Sequence, residues 1–247
     1  MMPDSKTTTR SDSGSKRNIS KRAEIRNKRR QQESRNRIIV IAIIAVVALA
    51  IAALVIVTNL PQKVDTSAIS IPEEMNFPQA DGNAMGNPAA SVKVEEFYDF
   101  NCSHCLSYAM TQESGIISKF VATGKVYYVD YAYAFMAPTS ATAAEASYCA
   151  MEQGKYWEYK KTLFHNASLE NVDAYEDEYL LAYADKLGLD NDVFKKCVSG
   201  SQYEDRINQN MTYGQGLGVT GTPTFSVNGV LVGRDGLEQA ILDAMGE

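Results

Sequence analysis

Residues 38–57 read IIVIAIIAVVALAIAALVIV, twenty positions without a charge, a proline or a glycine. As a helix such a run rises about 30 Å, the thickness of a bilayer's hydrocarbon core. Buried helices of soluble proteins rarely run so far without one polar residue. A cleaved signal peptide has a shorter apolar region that ends in small residues, whereas here VTNLPQK follows. The sequence therefore predicts an uncleaved transmembrane anchor over residues 38–58.

Charge divides the chain at the same place. Residues 1–37 hold twelve Lys/Arg against four Asp/Glu, a charge of +8, which leaves −14 for the rest of a chain whose net charge is −6. The positive-inside rule puts the basic arm in the cytoplasm and everything beyond Val57 outside. The arm has no aromatic residue to stack on bases, so contact with the membrane surface is expected and nucleic-acid binding is not. The expected order is a basic cytoplasmic tail (1–37), with a helix from Lys21 into the membrane, and then the anchor (38–58). A proline-bearing extracytoplasmic linker (59–87) and a folded domain (88–247) follow.

The domain opens with SVKVEEFYDF, where Val92, Val94, Glu96 and Tyr98 alternate with Lys93, Glu95, Phe97 and Asp99, a strand signal that puts a carboxylate on a valine face. A helix is expected next, with Asn101 as N-cap and Leu106, Ala109, Met110, Ile116, Ile117, Phe120 and Val121 at helical spacing. GKVYYVDYAYA reads as a second strand. Residues of about 140–215 are helical in pattern, with Gly188 ending one helix and Asp190 capping the next. Tyr175, Tyr179 and Tyr183 form an i, i+4 stripe expected to pack. GTPTFSVNGVLVG then holds two strands around Asn228-Gly229, a hairpin turn, and a closing amphipathic helix follows. The fold class is α/β, in the order β-α-β, helical block, β-β-α.

All four cysteines lie beyond the anchor, where disulfides persist, and four allow three pairings. Cys102 and Cys105 bracket Ser103 and His104 at a helix start. There the helix dipole and free backbone N–H groups stabilise the thiolate of the first cysteine, and His104 as imidazolium would add to this. A stabilised thiolate favours the dithiol and makes the disulfide a strong oxidant. The rivals are a zinc site, with His104 or His165 as third ligand, and a purely structural staple. No second paired motif exists and His104 is too close to its neighbours to chelate comfortably with both. Redox chemistry is thus the best-supported reading, and no metal is expected.

The stretch EFYDFNCSHC resembles the active-site region of the DsbA-like thiol–disulfide oxidoreductases of the thioredoxin superfamily, and the likeness extends over residues 85–246. It implies a thioredoxin-like fold with a DsbA-type helical insertion. It implies that Glu96 is the buried acid assisting proton transfer and that Pro223 is the cis-proline facing the cysteine pair. Thr222, before that proline, would influence partner choice. A structural disulfide between Cys149 and Cys197 is similar to one in some members, and two buried free thiols are its alternative. Ser103 stands where the best-known members carry proline.

On these grounds the chain is expected to oxidise cysteine-containing exported proteins. Cys102 would form the mixed disulfide and Cys105 would resolve it, without a cofactor. A quinone-linked membrane partner would reoxidise the pair. An isomerase or reductant of a dedicated pathway, and a non-catalytic chaperone keeping the fold, are the alternatives.

Overall fold

The computed structural model describes residues 13–58, 66–73, 76–169 and 174–246. The chain divides into two units, one ending at Lys63 and the other beginning at Val64. In the first, helix α1 (Ser13–Thr58) begins eight residues before the expected Lys21. Within its stretch Glu24–Ile56 an 18-residue window has a mean hydropathy of 3.5 and none of that window is buried, so the helix is long and apolar enough to cross a membrane. The first twelve residues of the expected cytoplasmic tail and most of the start of the linker lie outside the described residues.

The second unit is built on a five-stranded sheet with the order β1-β3-β2-β4-β5. Its strands are β1 (Ala84–Gly86), β2 (Val92–Tyr98), β3 (Val126–Ala132), β4 (Thr224–Val227) and β5 (Val230–Gly233). Among the described strands only β2 and β3 run parallel, joined by α2 (Ser103–Thr111), α3 (Glu113–Ile116) and a π-helical turn over Ile117–Val121. The expected single helix breaks at Gln112, whose φ of −125° leaves the helical region, and this turns Glu113 into the core. Between β3 and β4 comes the helical block: α4 (Pro138–Met151), α5 (Tyr156–Ser168), α6 (Asp177–Lys186), α7 (Asn191–Ser199) and α8 (Glu204–Leu217). Helix α9 (Leu237–Met245) closes the chain.

Local signals act as their chemistry dictates. Asp190 caps α7 by accepting from the N–H groups of Asp192 and Val193. Asn228 and Gly229 take the positive φ values, 49° and 90°, that a two-residue hairpin turn needs. Tyr179 and Tyr183 on α6, with Tyr175 just before it, pack on the core as the stripe predicts.

Strand β2 departs from simple alternation. Both of its faces are buried, because the sheet is covered on both sides. One face, with Val94, Glu96 and Tyr98, meets α5 and α9. The other face carries Phe97, which packs with Tyr131, Tyr133 and Tyr213 against α8. Gly214 lets α8 approach: a Cβ there would lie 2.6 Å from the Tyr133 ring and 3.1 Å from Phe97.

The expected linker over 59–87 is shorter than its prolines suggest. Ile69 is buried, and Asn166 on α5 clasps Ser70 in both directions, accepting from its N–H at 3.0 Å and donating to its carbonyl at 2.8 Å. Phe77 packs on Trp157, whose indole N–H donates to the Ala84 carbonyl at 3.2 Å. Strand β1 then joins the sheet beside β3. The domain thus starts about twenty residues earlier than residue 88. The reason is that the buried Trp157 indole and Asn166 amide need backbone partners, and this segment supplies them.

Candidate active site

The cysteine pair sits where β2 hands over to α2. Cys102, not Asn101, is the N-cap residue, with an extended φ, ψ of −85°, 115° and no side chain capping the helix. The Asn101 amide donates instead to Thr139 and Ser140 at the start of α4, at 3.1 and 3.0 Å. What fixes the turn is Asp99, which the alternating pattern did not single out. One carboxylate oxygen accepts from the Asn101 N–H at 2.9 Å and the Ser140 hydroxyl at 2.7 Å. The other accepts from the N–H groups of Phe135 and Met136 at 2.8 and 2.9 Å. The Asp99 carbonyl holds the Cys102 N–H at 3.1 Å. A buried carboxylate with four donors ties the active-site turn to the loop that precedes α4.

Cys102 and Cys105 are both free thiols, 3% and 0% exposed. Across from Cys102 lies the segment before β4, where the Thr222–Pro223 peptide is cis as the resemblance implies. The Cys102 thiol reaches the Thr222 carbonyl at 3.1 Å. The Thr222 hydroxyl is buried and has no hydrogen-bond partner among the described residues while Cys102 is a thiol, which leaves its proton for the thiolate.

The two thiols differ sharply in acidity. Cys102 is lowered from its ordinary 9.0 to about 5. The largest cause is the hydrogen bond from the Cys105 thiol. Burial opposes it, and the Thr222 side chain and the backbone N–H groups of Cys105 and His104 add to it. Cys105 is pushed far up, first by burial, then by its bond to Cys102, with the Glu96 charge adding to the rise. His104 contributes its backbone N–H to that lowering. Its side chain is exposed on the first turn of α2.

Glu96 is buried on the valine face of β2, 1% exposed, and its Oε2 accepts from Lys160 Nζ at 2.8 Å and the Tyr128 hydroxyl at 3.0 Å. His165 is half-buried in the last turn of α5, away from any cysteine bond described. Cys149 and Cys197 are joined, with Cα atoms 5.8 Å apart, and staple α4 to α7 inside the helical block. The sequence missed Lys160, Asp130 and Glu113, buried charges around Glu96 that arrive from α5, β3 and α3. Three isolated charges 17 or more positions apart carry no local signal of a shared site.

The chain is similar to known proteins of several kinds. It is 34% identical to the Na(+)/H(+) antiporter NhaA 3 of Salinispora tropica over 58% of this chain, and spans only 21% of that protein's length. The probable disulfide bond formation protein D of Bacillus anthracis is 26% identical over 82% of this chain and 93% of its own. In structure, oxidised BdbD of Bacillus subtilis superposes with a TM-score of 0.58 at 19% identity, over 67% of this chain and 94% of BdbD. The family model described as thioredoxin matches residues 79–243. With the Cys-x-x-Cys pair, the cis-proline opposite it and the helical insertion between β3 and β4, the chain belongs to the thioredoxin family, among its DsbA-like thiol:disulfide oxidoreductases.

Proposed function

We propose that this protein introduces disulfides into exported proteins from a membrane anchor, with residues 1–37 in the cytoplasm and the thioredoxin-like domain outside. The observation that carries the reading is the split between the two thiols: Cys102 lowered to about 5 and Cys105 raised by burial. Such a split favours the dithiol product over the disulfide, so the disulfide gives up its bond readily.

A substrate thiolate attacks Cys102 Sγ of the enzyme disulfide, forming a substrate–Cys102 disulfide and releasing Cys105 as thiolate, which is protonated. A second substrate thiolate attacks the substrate sulfur of the mixed disulfide. The substrate leaves oxidised by two electrons, and Cys102 leaves as a thiolate that stays ionised at neutral pH. The Cys102–Thr222 contact supports a substrate backbone lying along the cis-proline segment. Thr222 and Pro223 therefore bind substrate, and Glu96 serves the proton of Cys105. The Cys149–Cys197 bridge is structural and stays out of the exchange. A quinone-linked membrane protein reoxidises the pair.

Two measurements test this. Cys105→Ala in cells should accumulate mixed disulfides between Cys102 and exported proteins, and Cys102→Ser should abolish them. Thiol labelling of the native pair should find it mostly oxidised. A mostly reduced pair would turn the reading to an isomerase or reductant, and activity surviving Cys102→Ser would leave a non-catalytic role.

A further inference from the structure

Four ionisable side chains meet under the active site without contact with solvent. Lys160 Nζ donates to Asp130 Oδ2 at 2.6 Å, Glu96 Oε2 at 2.8 Å and Glu113 Oε1 at 3.1 Å, and all four side chains are 4% exposed or less. An ammonium has three donors, and all three are used here. Lys160 also lies 4.4 Å from the centre of the Tyr98 ring and 5.3 Å from that of Trp157. One positive charge facing three carboxyls leaves two negative charges uncompensated if all are ionised, in a place where each carries a large desolvation cost.

The three carboxyls are not equally supported. Glu96 receives a second donor, the Tyr128 hydroxyl, which pairs in turn with Tyr108 at 3.1 Å. Asp130 has Lys160 on one oxygen, while its Oδ1 is buried with no partner among the described residues. A lone buried carboxyl oxygen costs far less neutral than charged. Burial, then the charges of Glu96 and Glu113 against that of Lys160, push the Asp130 carboxyl well above the ordinary range. The other titratable groups that interact with it are Tyr98 of β2, Tyr128 of β3, Tyr148 of α4 and Tyr156 of α5. Their phenols are held up chiefly by burial and so stay neutral.

We propose that Asp130 is a carboxylic acid in the resting enzyme and supplies, through Lys160 and Glu96, the proton that Cys105 takes up when it leaves the enzyme disulfide. The proposal rests on the exchange reaction above and gives its proton a source. Cys105 leaves as a thiolate in a buried place where its charge is strongly disfavoured, and Glu96 is the carboxylate whose charge it feels. Lys160 passes a proton to Glu96, Glu96 passes one to Cys105, and Asp130 restores the ammonium. The substrate's two thiols release two protons. One returns to Asp130 and the other goes to solvent, because Cys102 ends as a thiolate. Asp130 and Lys160 are thus positioning residues that act on the sulfur through Glu96.

Infrared spectroscopy of the full chain in detergent tests the resting state. At neutral pH a protonated carboxyl band should be present, should move on labelling with carboxyl-13C aspartate, and should vanish in Asp130→Asn. Glu113→Gln, which removes one repelling charge, should keep the band and let it titrate at lower pH. Stopped-flow oxidation of a cysteine peptide tests the transfer. Asp130→Asn should slow mixed-disulfide formation on the order of a hundredfold, the scale of a positioned proton donor. Its rate relative to wild type should fall further as pH rises, which a merely structural loss would not produce. No protonated band in the wild type, or a band unmoved by the aspartate label, overturns the assignment without recourse to any variant. A constant variant-to-wild-type ratio across pH overturns the transfer. If the band behaves as stated and no exported protein is trapped by Cys105→Ala, it is the oxidase reading that fails and not the protonated Asp130.

Discussion

The acidity of Cys102 makes a quantitative prediction about the reduced protein. Its folded midpoint is about 5 against an ordinary 9.0, because the thiolate accepts from Cys105, Thr222 and two backbone N–H groups at the start of α2. A depressed acid contributes stability above its unfolded midpoint and loses it as pH falls through the folded one. At ~1.4 kcal/mol per pH unit between the midpoints, the thiolate stabilises the reduced fold by about 5 kcal/mol above pH ~9. That falls to about 3 kcal/mol at pH ~7 and almost nothing below pH ~5. The oxidised protein has no such thiolate. The same ~3 kcal/mol therefore raises the reduction potential at pH ~7 by about 60 mV over a pair with ordinary thiols. Two assays on the full chain in detergent check this: ultraviolet absorbance of the thiolate against pH, and urea unfolding of the reduced protein near pH 7 and near pH 5, each with Cys102→Ser as reference. The wild type should titrate near pH 5 and should lose its stability advantage over Cys102→Ser across that pH drop. A thiolate midpoint at or above about 8, or identical pH dependence in the two proteins, would refute the reasoning.

Further changes follow from the same contacts. Thr222→Val removes a side-chain partner of the thiolate and should raise the Cys102 midpoint by about one to two pH units, the scale of a hydrogen bond to a charge; an unmoved absorbance titration would exclude the hydroxyl. Removing the Cys149–Cys197 bridge, which spans 48 positions, should lower stability by at most about 4 kcal/mol on the chain-entropy account while leaving peptide oxidation by the Cys102–Cys105 pair intact. Equal urea midpoints with and without the bridge would show that it contributes nothing. Lys160→Met strands three buried carboxyls and should cost about 3–5 kcal/mol at neutral pH. Acid should relieve the loss, since protonation removes the stranded charges, and a cost that grows as pH falls would contradict the placement of that lysine.

What was legible in the sequence was what is local or carried by the family. The Cys-Ser-His-Cys motif, the Thr222–Pro223 loop, the Asp190 cap and the Asn228-Gly229 hairpin each fit within a few positions. Their physics, a helix N-terminus or a positive φ, needs no distant partner. Two errors have one cause. Asn101 was a sound N-cap by type, but its amide is taken by Thr139 and Ser140, 38 and 39 positions on. Residues 69–86 looked like a tether by composition, but they answer the buried Trp157 and Asn166. In each case a polar group was claimed by a partner that the local pattern does not contain.

Glu96 shows the limit most clearly. Its alternation with Val92 and Val94 placed it on the buried face, and the structure agrees, yet burial alone says little about what a carboxylate does there. That depends on Lys160, 64 positions away, in the YKK of a helix whose sequence carries no sign of its buried partners. It depends also on Asp130, directly across from Glu96 in the parallel β2–β3 register, where two carboxyls on one sheet face would repel without the shared ammonium. A strand pattern assigns a side chain to a face but not to a charge partner. On the proposed transfer that partner sets whether Glu96 gives or takes a proton, and it reaches the sheet from α5, outside anything the strand's own pattern contains.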